Sequence, residues 1–166
     1  MRKSNNTIFN AILKSSNKIK QKYMPEINYI AILVCAIVSM IIGGIWYGPL
    51  FSKMWMEGMG WNPNDQALMA KMKKAAGPAY AQQFIGSLLI FFGLAMSMWA
   101  FTTADPTLVG VSAGLQGGFW TWLTFMVPVK YGDKLWGGKS FKFVSIDLGY
   151  YLVTLLIGGV ILALWR

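Results

Sequence analysis

Four apolar runs, 27–47, 80–101, 108–129 and 143–165, fill most of the 166 residues. Each is long enough to cross the hydrocarbon core of a bilayer, which takes ~20 apolar residues at ~1.5 Å rise per residue. Lipid offers the backbone no hydrogen bonds, so such a run can span only as a helix. The expectation is an all-α integral membrane protein. Residues 27–166 would form one four-helix bundle with a short surface helix in its first loop. Residues 1–26 would form a basic amphipathic N-terminal tail.

Charge and residue chemistry narrow the function. The formal net charge is +9. In a soluble chain that would suggest nucleic acid. Here the Lys residues sit in tails and loops beside the spans, so the bilayer, with its anionic headgroups, is the implied partner and nucleic acid is not. There is no His, and Cys35 is alone inside the first run. That removes the commonest general base, a disulfide framework and a Cys-based metal site. The six acids are scattered, and no nucleophile–base set or phosphate-binding glycine loop occurs. The reading is not an enzyme, with no catalytic residue, cofactor or metal.

In the tail, Ile8, Phe9, Ile12, Leu13, Ile19 and Tyr23 share one helical face, and Lys14, Lys18 and Lys22 the other. That pattern suits an interfacial helix. It is too short and too interrupted for a secretory signal. Asn62-Pro63-Asn64-Asp65 reads as an N-cap with Pro at the first helical position, and Gly77-Pro78 as the matching stop of a surface helix. The termini and middle connection carry seven Lys or Arg: Arg2, Lys3, Lys14, Lys18, Lys20, Lys22 and Arg166. The other two loops carry eight: Lys53, Lys71, Lys73, Lys74, Lys130, Lys134, Lys139 and Lys142. The positive-inside rule does not separate these sums. The uncharged connection around Asp105 favours basic loops in the cytoplasm, and a near-zero bias leaves dual topology open.

Small residues recur at spacings of four. Gly110, Gly114 and Gly118 form one row, Gly44 and Gly48 another, and Ala31, Cys35, Ser39 and Gly43 a third. Such rows let helices approach closely in lipid. They suit packing within the bundle, and the third helix could also offer a homodimer face. Polar residues cluster as well. Asp147, Tyr150, Tyr151 and Thr154 share a stripe on the last helix. Gln82 and Gln83 on the second helix and Gln116 on the third, with Thr121, could meet it. Asp147 is the one acid well inside an apolar run. A charge in a membrane costs roughly 2.5–3.5 kcal/mol on insertion scales, so it needs a partner. Lys139 or Lys142 could reach it. Asp147 is either a satisfied structural acid or a proton or cation site.

Trp46, Tyr47, Pro49, Phe51 and Trp55 follow the first span as an interfacial aromatic segment. Pro49 should turn the chain along the membrane surface towards Phe143 and Asp147. A hydrogen bond from Trp46 or Tyr47 to Asp147 would then explain the tolerated acid. Gly43-Gly44-Ile45-Trp46 and Gly117-Gly118-Phe119-Trp120 hint at an internal repeat.

The stretch Gly43-Gly44-Ile45-Trp46-Tyr47-Gly48-Pro49-Leu50-Phe51-Ser52-Lys53-Met54-Trp55-Met56 resembles the hallmark of the domain of unknown function 1761 family of small membrane proteins. Asn28-Tyr29, Gly77-Pro78-Ala79-Tyr80-Ala81 and the start of the last helix fit as well, so the resemblance covers about 27–166. It implies a four-helix membrane protein, mostly bacterial, in the cytoplasmic (inner) membrane, and supplies no established activity. Members often carry Gly-Tyr-His where this chain has Gly149-Tyr150-Tyr151, and Asn where it has Asp147. Two functions stand open. One is a small polytopic protein acting by helix packing, lipid, or a homodimer or membrane partner subunit. The other is a small transporter or channel with Asp147 as its proton or cation site.

Overall fold

The computed structural model describes residues 12–15, 27–62 and 64–165, and every regular element among them is helical. The amphipathic tail falls outside the described residues except for 12–15, which are helical and exposed. The elements are α1 (Tyr29–Ile45), π1 (Trp46–Leu50), α2 (Ser52–Gly58), α3 (Gln66–Ala104), α4 (Gly110–Thr121), π2 (Trp122–Met126), α5 (Val127–Leu135) and α6 (Phe141–Leu164). Three helices are long and apolar enough to cross a membrane: Tyr29–Leu50, Gln66–Ala104 and Phe141–Leu164. The fourth expected span is not one regular helix. It is α4, π2 and α5 joined without a gap over 110–135.

Both π turns accompany a proline. Pro49 and Pro128 have no N–H to return to the fourth residue back, and their rings crowd that carbonyl. Widening the turn resolves this. The Phe51 N–H reaches back five residues to the Trp46 carbonyl at 2.9 Å, and the Val127 N–H to the Trp122 carbonyl. The chain thus stays helical through Gly48-Pro49 and breaks at Phe51.

The separate surface helix is overturned. The segment after Asp65 continues through Gly77-Pro78 into the second span as one helix of 39 residues. Gly77 is not in the left-handed conformation that would end a helix there; only Gly60, Gly110 and Gly138 have positive φ among the described residues. Pro78 lies in an exposed stretch, where a freed carbonyl can meet solvent. The cap also differs from the expected one. Asp65, not Asn62, caps α3, accepting from the Leu68 N–H at 3.0 Å. Asn62 instead closes its own turn onto the Asn64 N–H.

Helix α6 is the centre of the bundle, packing on α1, α3 and α4. Ala31, Ile32, Cys35 and Ala36 of α1, Phe91, Leu94 and Met98 of α3, and Leu155 and Leu162 of α6 form its buried core. The Asn28 side chain accepts from the Ile30 and Ala31 N–H groups and donates to the Trp165 carbonyl, tying the start of α1 to the end of α6. That end also holds the uncharged connection. There the Thr107 N–H and hydroxyl both donate to Asp105, holding its carboxyl below the usual carboxylate range. The opposite end carries α2, the start of α3, α5 and the start of α6, and with them all the loop lysines. At ~1.5 Å per residue α3 is ~58 Å long, about twice a bilayer core, so its Lys-bearing first turns overhang this basic end.

Candidate functional site

Ser140 caps α6 by accepting from the Phe143 N–H at 3.1 Å, which sets the register of the first turns. Phe143, Val144, Ile146, Asp147 and Tyr150 are buried there. Asp147 is only 6 % exposed, and both its oxygens are used. The Tyr47 hydroxyl donates to Oδ1 at 2.9 Å, and Lys130 Nζ donates to Oδ2 at 2.9 Å. The lysine comes from α5 and not from the loop before α6. Lys139 instead lies 3.5 Å from the Gly58 carbonyl and over the Phe143 ring, and Lys142 is exposed. Lys130 was missed because the third span was expected to stop at residue 129. Helix continues to Leu135, and that turns Lys130 inward instead of leaving it in a loop. Its Nζ is also 3.4 Å from Asp133 Oδ2 and over the Tyr151 ring at 5.8 Å.

Two indoles brace the backbone on either side of Asp147. Trp46 Nε1 donates to the Ile146 carbonyl at 3.0 Å, and Trp122 Nε1 to the Leu148 carbonyl at 2.8 Å. Each Trp is the first residue of a π turn, so the widened turns deliver both rings to the same stretch of α6. Gly149 admits the Trp46 ring: a Cβ there would lie 2.9 Å from its Cζ2. Trp46→Phe leaves a smaller ring and loses the bond, costing at least about 1 kcal/mol in a denaturant titration. No change would mean that the indole N–H does not anchor α6.

The aromatic segment folds onto this cluster. Tyr47 contacts Tyr150 and Trp55, Trp55 contacts Trp61, and Trp46 contacts Phe51. Pro49 is exposed. The Tyr150 ring sits on Gly43, and its hydroxyl donates to the Ser39 carbonyl at 3.2 Å. Tyr151 is half-buried, and Thr154 is buried and bonded to the Tyr150 carbonyl. The glutamines do not join. Gln82 and Gln83 face outwards, and Gln116 is exposed and bonds Ser112 on its own helix. Gln83 shares its face with buried Ser87 one turn on, but no neighbouring element covers Gln83 itself.

The glycine rows divide. Gly114 and Gly118 pack directly on the α6 backbone near Gly159 and Leu155, so that face is filled from within the chain. Gly110, at φ +58, starts α4, and Gly44 and Gly48 have nothing within 4 Å of a Cβ. Gly159, their counterpart on α6, and Gly158, which admits the Phe91 ring of α3, were not singled out for packing in the sequence.

These braced residues fall inside a stretch, 30–163, that matches a family described as "Protein of unknown function (DUF1761)". The chain belongs to the DUF1761 family. No curated protein and no solved structure matches it. The match takes in all of α1 to α6 except the first residue of α1 and the last of α6, so the Trp46–Tyr47 segment, Lys130 and Asp147 all belong to the DUF1761 region.

Proposed function

We propose that this DUF1761 protein is a four-span protein of the bacterial cytoplasmic membrane, its basic end in the cytoplasm against anionic headgroups, acting without catalysis through lipid or a membrane partner. The continuous helical stretch over 110–135 supports the fourth span. It holds 26 residues, ~39 Å at ~1.5 Å each, which exceeds the ~30 Å core. The uncharged connection around Asp105 at the opposite end from the loop lysines supports the orientation.

The observation that carries a non-transporting role is the closure of the Asp147 site. Its carboxylate has each oxygen already bonded, one to a hydroxyl and one to an ammonium, so the buried acid of α6 is neutralised within the chain and not held open to a passing cation. Purified protein in liposomes should show no proton or cation flux above that of empty vesicles, and Asp147→Asn should match the natural chain. Flux that disappears in Asp147→Asn would sink this reading.

That result would instead establish a small transporter. One observation favours it. Lys130 bridges buried Asp147 and half-exposed Asp133, which connects the interior acid to the basic surface.

A further inference from the structure

On the side of α4 away from α6, an open groove of about 510 Å³ runs between α4–π2 and the last turns of α3. Ser97, Phe101, Gln116, Trp120, Thr121 and Thr124 are among its walls. Most of its polar atoms are already satisfied on their own helices. Ser97 donates to the Gly93 carbonyl at 3.0 Å and Thr124 to the Trp120 carbonyl at 2.7 Å.

Thr121 has no side-chain hydrogen bond among the described residues, and the other exception is Gln116. One of its N–H groups donates to Ser112 Oγ at 3.2 Å, and it has no other hydrogen bond among the described residues. A primary amide can donate twice and accept twice. Its carbonyl and second N–H therefore face outwards, about 9 Å along the helix from Gly110 at ~1.5 Å per residue. In the four-span reading, on which this inference rests, that depth is hydrocarbon. Acyl chains offer an amide nothing, and polar side chains on lipid-facing helix surfaces are partnered by other helices.

We propose that the groove is a homodimer interface in which Gln116 pairs with Gln116 of a second copy. The symmetry favours a copy of this chain over any other occupant. About a two-fold axis along the membrane normal, a residue near the axis meets its own counterpart at the same depth. An amide is self-complementary, so the two Gln116 side chains exchange N–H···O bonds reciprocally. Trp120 and Phe101, half-exposed along the groove walls, supply the apolar surround that excludes lipid from the pair. The Gly114–Gly118 row is absent from this face because α6 already covers it.

Cysteine cross-linking in native membranes tests this. Cys35→Ala removes the natural thiol, which is buried. On that background Gln116→Cys should give a disulfide dimer with copper–phenanthroline. Ile37→Cys, exposed on α1 and away from the groove, should not. In detergent, sedimentation equilibrium should show Gln116→Leu dimerising roughly tenfold more weakly than the natural chain, the scale of two interhelical hydrogen bonds in a membrane. A monomer at all protein concentrations, equal cross-linking at Ile37→Cys, an antiparallel pair that leaves Gln116→Cys uncrosslinked, or a monomer retaining lipid in the groove would each overturn it. Alkaline carbonate washing separates the two readings. A chain that washes off refutes the four-span reading itself. A chain that stays in the pellet without cross-linking refutes only the dimer.

Discussion

Lys130→Met is expected to destabilise the fold by about 2–4 kcal/mol, whereas Asp147→Asn should cost about 1 kcal/mol or less. The asymmetry follows from where the two charges sit. The Asp147 side chain is 9 % exposed and the Lys130 side chain 23 %. Removing the lysine leaves a carboxylate buried among rings with only the Tyr47 hydroxyl to hold it. Removing the acid leaves an ammonium that still has Asp133 at 3.4 Å and a flexible stem able to carry it to the surface. Asn at position 147 also keeps an acceptor for Tyr47. The double variant Lys130→Met with Asp147→Asn should therefore recover most of the loss, giving a coupling of at least ~1 kcal/mol in a double-mutant cycle. Reversible unfolding of the purified protein in mixed micelles measures all four corners. Equal losses for the two single variants, with no recovery in the double, would mean that the ion pair does not hold α5 to α6.

Hydrophobic length and small-residue spacing carried most of what the sequence reveals here, because both are properties of one helix at a time. The three long apolar helices follow from run length alone. The approach of the Trp46–Tyr47 segment to α6 could be anticipated because the unsatisfied Asp147 needed a donor and those aromatics lie at the same membrane depth. What escaped depends on continuity between elements. Pro78 and Pro128 look like stops in a sequence, yet α3 passes through the first and α4 reaches the second through a π turn. Reading Gly77-Pro78 as an end hid the 39-residue helix, and ending the third span with its apolar run at residue 129 put Lys130 in a loop. Trp122 also escaped; its indole reaches the Leu148 carbonyl from the first position of the π turn. Gln82 and Gln83 failed for another reason. A helical face is defined by its neighbours, and the neighbours of that part of α3 do not cover them.

Gly118→Val is expected to be among the most damaging single changes in the bundle, at about 3 kcal/mol or more. Over-packing a core typically costs 1–3 kcal/mol, because neighbouring side chains can turn aside. Here nothing can. A Cβ at Gly118 would meet the Leu155 carbonyl group, and one at Gly114 would lie 2.6 Å from the Gly159 oxygen and from the Val160 Cα. These are backbone atoms, so α4 must move bodily away from α6. That movement also carries Trp122 and Lys130 away from Leu148 and Asp147, because α4, π2 and α5 are one continuous stretch. In lipid no hydrophobic effect pulls the helices back together, and close backbone contact is itself the attraction that is lost. Even Gly118→Ala should be clearly destabilising. Gly44→Ala is the matched control. It adds the same methyl to a helix, where nothing lies within 4 Å, and should be neutral or stabilising by up to ~1 kcal/mol through the lower entropy cost of Ala. Unfolding midpoints and the dimer cross-link at position 116 can be read on the same preparations. If Gly118→Ala proves as harmless as Gly44→Ala, α4 and α6 do not touch as closely as described.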